Sequence, residues 1–356
     1  MNALRGRLRV LGWVILVALL AGGIWLYQAF WGSNTFPDGK DKVFTVSRGQ
    51  SFGAIVDSLE ARGIIRSRSL FVFVSKVTGG TSKILVGRYV FASGISNASI
   101  YQSLRTGRGN TLIPVTIPEG LMARVQAKLF FRAVGIDSAR YLSLVYDESF
   151  AHSLGVDAPS LEGFLFPETY EFYWEPDEKD VIRRQVDLFQ KFYTDSLQTR
   201  TRELGWTTVQ LLAFASIVEG EAVLNDERPV ISGVYHNRLR KGMKLDADPT
   251  IQYIIANGPR RILYADLQLD SPYNTYLYAG LPPGPVNNPG RSSILAALFP
   301  TSHNYLFFVA NGKGGHWFTS TYAEHMRHVR MYRRMRAKRE AAAAVRLENK
   351  KGSGSS

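Results

Sequence analysis

Val10 to Trp31 reads VLGWVILVALLAGGIWLYQAFW, 22 consecutive residues without a charge. A helix of that length covers about 30 Å, the hydrocarbon thickness of a bilayer. Trp25, Tyr27, Phe30 and Trp31 gather towards its C-terminal end, as an interfacial aromatic belt does. The pattern predicts a membrane-spanning helix over 10–31. A cleaved signal peptide is the competing reading, but its apolar region is usually about 7–15 residues. Gly23 also follows Leu20-Ala21-Gly22 where a lipoprotein needs Cys.

Beyond a polar linker at 32–42 the periodicity changes. Val43-Phe44-Thr45-Val46 predicts a strand, and Ser51 followed by Phe52, Ile55, Val56 and Leu59 predicts a capped amphipathic helix. Tyr89-Val90-Phe91 reads as a second strand and Asn97 to Leu104 as a second helix. The stretch Phe44-Thr45-Val46-Ser47-Arg48-Gly49-Gln50-Ser51-Phe52 resembles the opening of a LysM carbohydrate-binding module. A generic strand–turn–helix needs the same Gly and Ser. Further on, a strand ends in Ile117-Pro118-Glu119-Gly120. Thr208 to Val218 is apolar nearly all round and predicts a buried helix. Tyr305-Leu306-Phe307-Phe308-Val309 has strand length, and 320–345 reads as a long basic helix before a disordered tail.

Composition narrows the class. The chain has 356 residues, 45% of them hydrophobic, which suits one large or two ordinary domains with a real core. There is no cysteine, so disulfides, thiolate metal sites and Cys nucleophiles are excluded. The net charge of +13 suggests nucleic acid until it is located. Arg5, Arg7 and Arg9 carry part of it, and 327–351 holds ten Lys/Arg against Glu340 and Glu348, leaving +2 for residues 10–326. A nucleic-acid-binding domain carries its basic surface on the body of the fold, so that partner is set aside. The arginines before the apolar run place residues 1–9 in the cytoplasm and the remainder outside.

The chemistry falls to carboxylates. The sequence lacks G-x-S-x-G, GxxxxGK[ST] and HExxH. His325 and His328 stand on an arginine-crowded helix and read as a solvated polar face, so no metal is expected. The apolar helix runs directly into Glu219-Gly220-Glu221. Burial disfavours the charged form of a carboxyl and equips it as a general acid. Glu219 continues the packed stripe of Leu212, Ala215 and Ser216, while Glu221 points elsewhere. The alternative is that both glutamates flank a helix end in water. Three loop-rich clusters follow, with Asn237 and Asp248, then Tyr273, Asn274 and Asn288, then His316 and Trp317. Asn amides and aromatic rings beside glycine-permitted backbone suit a sugar cleft.

Seven segments in order are similar to the YceG-like endolytic murein transglycosylase family. They are Leu161 to Tyr170, Ala215-Ser216-Ile217-Val218-Glu219-Gly220-Glu221-Ala222, Asn237-Arg238-Leu239, Asp248-Pro249-Thr250, Ser271 to Tyr276, Gly280 to Gly284 with Asn288-Pro289-Gly290, and Gly315-His316 with Phe318. The resemblance implies an α+β protein with a transmembrane helix (10–31), a LysM-like subdomain (43–110), a mixed α/β catalytic domain (111–340) and a disordered tail (341–356). It implies an enzyme of the bacterial cytoplasmic membrane, facing outwards, that cuts nascent peptidoglycan strands internally and leaves 1,6-anhydro-N-acetylmuramic acid ends. Glu219 is then the catalytic acid and base, no cofactor is needed, and peptidoglycan synthases are the suggested protein partners. Asn237, Asp248, Tyr273, Asn274, Asn288 and His316 are the expected substrate-binding residues. Gly220 departs from the longer polar residue expected between the glutamates. Glycine weakens a helix by about 1 kcal/mol relative to Ala, which puts the helix end at Glu219 and leaves Glu221 open. Two rivals stand beside this reading. One is a hydrolytic muramidase pairing Glu219 with Asp248, and the other a non-catalytic tether to the wall.

Overall fold

A computed structural model describes residues 2–352 except Ser82 and Asn257, with side chains described outside 2–6, 8–10 and 341–352. The chain divides into two units, the first formed by 1–115, 132–136 and 170–177 and the second by the rest.

The first unit begins with helix α1 (Asn2–Trp31), of which Leu11–Trp31 is long and apolar enough to cross a membrane. Its apolar side chains, Leu11 to Tyr27, are exposed. After β1 (Ser33–Asn34) come β2 (Lys42–Val46), α2 (Phe52–Ala61), α3 (Arg68–Thr78), β3 (Gly87–Phe91), β4 (Ile95–Ser96) and α4 (Asn97–Thr106). β2 and β3 pair antiparallel, with Phe44 opposite Tyr89. Ser51 caps α2 by accepting from the Ala54 amide, a device worth about 1 kcal/mol. One face of each element is apolar, so Phe44, Ile55, Leu59, Phe71, Tyr89 and Phe91 close over a single core. β5 (Ile113–Thr116) pairs with a later strand, and the ribbon they form carries the chain between the units.

The second unit is mostly helical. It contains α5 (Ala123–Val134, to residue 131), α6 (Ser138–Val145) and α7 (Glu148–Ser153). β6 (Thr169–Phe172), the partner of β5, leads to α8 (Glu178–Phe192), α9 (Asp195–Glu203) and α10 (Thr208–Glu221). Then follow α11 (Arg228–Arg240), α12 (Asp248–Ile254), α13 (Arg291–Leu298), a hairpin of β7 (Phe307–Ala310) and β8 (His316–Thr319), and α14 (Tyr322–Gly352). α10 lies at the centre, against α11, α12 and α13. Its residues Leu211 to Val218 are all buried, which is where a segment apolar on every side must go. α14 continues through 341–352, part of the stretch expected to be disordered. Ala341 to Ala344 are the strongest helix formers available. Residues 353–356, also expected to be disordered, lie outside the described residues.

Candidate active site

Thr207 and Gln210 form a capping box that starts α10, and the helix delivers Glu219 at its far end. The helix does not stop at Glu219, as the glycine suggested, but runs through Gly220 to Glu221. Close packing accounts for the glycine. A Cβ at position 220 would stand 2.4 Å from Cγ of Pro249, so a longer residue has no room. Glu219 and Glu221 therefore face different surroundings.

Only 5% of the Glu219 side chain is exposed. One carboxylate oxygen lies 3.0 Å from the Arg228 guanidinium, and the other accepts from the Gly290 amide at 3.0 Å. Arg228 is itself buried, and it donates to Asn225 Oδ1 and Ser293 Oγ, so the ion pair is held on both sides. A second carboxylate, Glu119, lies 3.8 Å from the same guanidinium with 45% of its side chain exposed. Burial raises the Glu119 carboxyl above the usual range, the Glu219 charge adds to this, and Arg228 opposes it. A Cβ on Gly290 would strike the Glu119 carboxylate, so both acids converge on one glycine.

A buried polar network supports the loop that carries Glu119. Glu162 accepts from the Ala123 amide, from Asn288 Nδ2 and from the Tyr146 hydroxyl. Asn288 in turn accepts from the amides of Gly163 and Leu165 and donates to the Leu121 carbonyl. Burial pushes the Glu162 carboxyl up to about 7, against the pull of these donors. Ser216 adds a further tie by accepting from the Val286 amide.

On the other side of α10, Glu221 accepts from the Asp248 amide and is hydrogen-bonded by Tyr235. Burial, then the nearby Asp248 charge, push it up to about 7. Asp248 is exposed and accepts from the Tyr276 hydroxyl at 2.6 Å. A cleft of about 250 Å³ is lined by Gly120, Leu121, Met122, Gly220, Asp248 and Pro249, and the Glu219 side chain packs against Gly120 in its wall. Asp248 also lines a neighbouring cleft of about 270 Å³ with Arg261, Tyr264 and Tyr276. A larger hollow of about 670 Å³ has Phe164, Tyr193 and Trp206 in its wall. Among the described residues no three His, Asp or Glu side chains come together as a metal site.

The residues singled out in the sequence separate into two groups. Asp248 lines the cleft, Glu219 packs behind Gly120 in its wall, and Tyr273 is half-buried against Tyr253, with ring centroids 4.9 Å apart. Asn237, Asn274 and Asn288 do not point into it. Asn288 has all four of its hydrogen-bonding positions occupied by protein. Asn237 donates to the carbonyls of His303 and Tyr305, and Asn274 to those of Leu267 and Leu269. His316 sits away from the cleft, its Nδ1 2.6 Å from Glu227. Through Glu227 it braces the turn that presents Arg228. Arg228, Glu119 and Glu162 received no role in the sequence reading. One signal existed for Arg228, because a cation at the first position of a helix opposes the macrodipole and needs a partner.

The chain is thus a mixed α+β protein, led by an apolar helix, with an acid-bearing core helix in its second unit. The sequence profile of the YceG-like family matches residues 44–331. An endolytic murein transglycosylase of Bacillus subtilis is 32% identical over 324 residues, covering 86% of this chain and 89% of that protein. One from Streptococcus pneumoniae is 27% identical over 355 residues, and the match takes in 64% of that longer protein. The crystal structure of a yceG-like protein from Listeria monocytogenes matches with a TM-score of 0.59 and 29% identity, over 81% of this chain and 98% of that one. The chain belongs to the YceG-like family.

Proposed function

We propose that this protein is a membrane-anchored murein transglycosylase that cleaves peptidoglycan strands internally, with Glu219 as the catalytic residue. The observation that carries the reading is a nearly buried carboxylate at the end of a core helix, fixed by Gly290 and Arg228 and packed against Gly120, which lines a cleft. The relatives named as endolytic murein transglycosylases support the substrate and reaction class.

Hydrolysis of a glycoside ordinarily needs an acid and a second carboxylate that activates water or attacks the sugar. The lytic reaction needs no water. Glu219 protonates the departing glycosidic oxygen as the bond from the muramic acid anomeric carbon breaks. The 6-hydroxyl of the same sugar then bonds to that carbon, and Glu219 takes the hydroxyl proton. The anhydro ring closes, and the glutamate ends as it began. The attack is intramolecular, so its entropy is already met by the substrate. Asp248 and Tyr273 contact the sugars directly, while Asn237, Asn274 and Asn288 hold the surrounding backbone and His316 braces the turn before Arg228.

The βααβ order of residues 42–91, with its outer strands paired antiparallel, supports a LysM-like reading of 43–110. A catalytic domain at 111–340 completes the organisation. Helix α1, with its arginines on the cytoplasmic side, tethers the enzyme so that both domains face outwards where nascent strands emerge. Mass analysis of products released from purified glycan strands tests the reaction. Anhydro ends, lighter by one water than reducing ends, support it. Reducing ends point to the hydrolase that pairs Glu219 with Asp248, and binding without turnover points to a tether.

A further inference from the structure

Glu119 lies in the loop after β5, in the second unit, and its carboxylate meets Glu219 on α10 and Arg228 on α11. These are the charged groups that face it. Gly290, just before α13, supplies the backbone on which both carboxylates converge. Ser293 and Asn225 hold the guanidinium from its other edges. Two carboxylates around one guanidinium leave a net negative charge when both are ionised, in a place where Glu219 and Arg228 are nearly shielded from water. Each acid therefore lies within the field of the other. Glu119 is the one that reaches solvent.

We infer that Glu119 is a positioning residue of this site, sharing Arg228 with Glu219 so that its charge bears on proton transfer between Glu219 and the sugar. The inference rests on the reading of Glu219 given above. With Glu119 ionised, a proton on the pair is favoured, because the one cation is already divided between two anions. With Glu119 neutral, Arg228 belongs wholly to Glu219, and the proton needed by the leaving group is held less firmly.

The test is the pH profile of kcat/KM on purified glycan strands, for the full-length wild type and for Glu119→Gln, Glu119→Asp and Glu219→Gln. In Glu119→Gln the alkaline limb should move to lower pH by about one unit, since one neighbouring charge is removed. Glu119→Asp keeps the charge and should keep the limb near its wild-type position. A Glu119→Gln limb that stays in place, whatever the height of the profile, overturns the inference. So does a Glu119→Gln enzyme with no measurable turnover, which assigns Glu119 a direct chemical part. Substantial turnover in Glu219→Gln removes the reading beneath the inference. An unmoved limb beside an inactive Glu219→Gln removes the inference alone.

Discussion

Glu219 and Arg228 form a nearly water-free ion pair, 3.0 Å apart, with 5% and 7% of their side chains exposed. A carboxylate so placed is stable only because the guanidinium and the Gly290 amide accompany it. Removing one partner of such a pair costs about 3–5 kcal/mol, since a charge is left buried and alone. Arg228→Ala should therefore lower the thermal unfolding temperature markedly as well as abolish turnover. An unchanged unfolding temperature would contradict the pairing.

Glu162 and Glu221 give the second unit an unusual dependence on pH. Both carboxyls are pushed up to about 7 in the folded protein from an ordinary value of 4.5. Between those values the folded state binds protons that the unfolded state has lost, so stability falls as pH rises through this window. Glu162 alone accounts for about 3 kcal/mol of that fall. Glu162→Gln keeps the shape and the acceptor for the Ala123 amide, and Tyr146 can turn to accept. Thermal unfolding at pH 5 and pH 8 should show a smaller difference in this variant than in the wild type, with a gain in stability at pH 8.

His316 acts at a distance. Its ring and backbone amide both bind Glu227, the residue before Arg228. His316→Ala frees the turn and lets the guanidinium drift, and small misplacements in a catalytic site are costly. The expected outcome is a fall in kcat of about tenfold with KM nearly unchanged. A raised KM at constant kcat would instead make His316 a substrate ligand.

The parts of the fold written in periodicity were legible. The apolar run of α10 led straight to its burial, and Ser51 marked the start of α2. Gly220 misled because a local propensity, about 1 kcal/mol, was outweighed by the approach of Pro249 from another element. Asn237, Asn274 and Asn288 looked like sugar ligands because an amide suits a hydroxyl as well as it suits a backbone carbonyl. Only the fold shows that their partners are backbone, Glu162 and Arg240. Glu119 stood in Ile117-Pro118-Glu119-Gly120 as one more acid in a turn. Its meeting with Arg228, 109 positions on, is invisible in the sequence.

The anchor has its own check. The apolar stretch Leu11–Trp31 should keep the full-length protein in the membrane fraction through alkaline carbonate washing. A mature chain lacking the first 25–30 residues would show that the helix is a cleaved signal instead.

Glu219→Gln tests the central claim most directly. The amide preserves size and can still accept from Gly290, but it has no proton to transfer. General acid–base participation is typically worth about 10²–10⁴ in rate, and here one group serves in both directions. With folding matched by thermal unfolding, release of anhydro-muropeptides from purified glycan strands should fall by at least that factor. Release within about tenfold of the wild type would contradict the account and move the catalytic acid elsewhere.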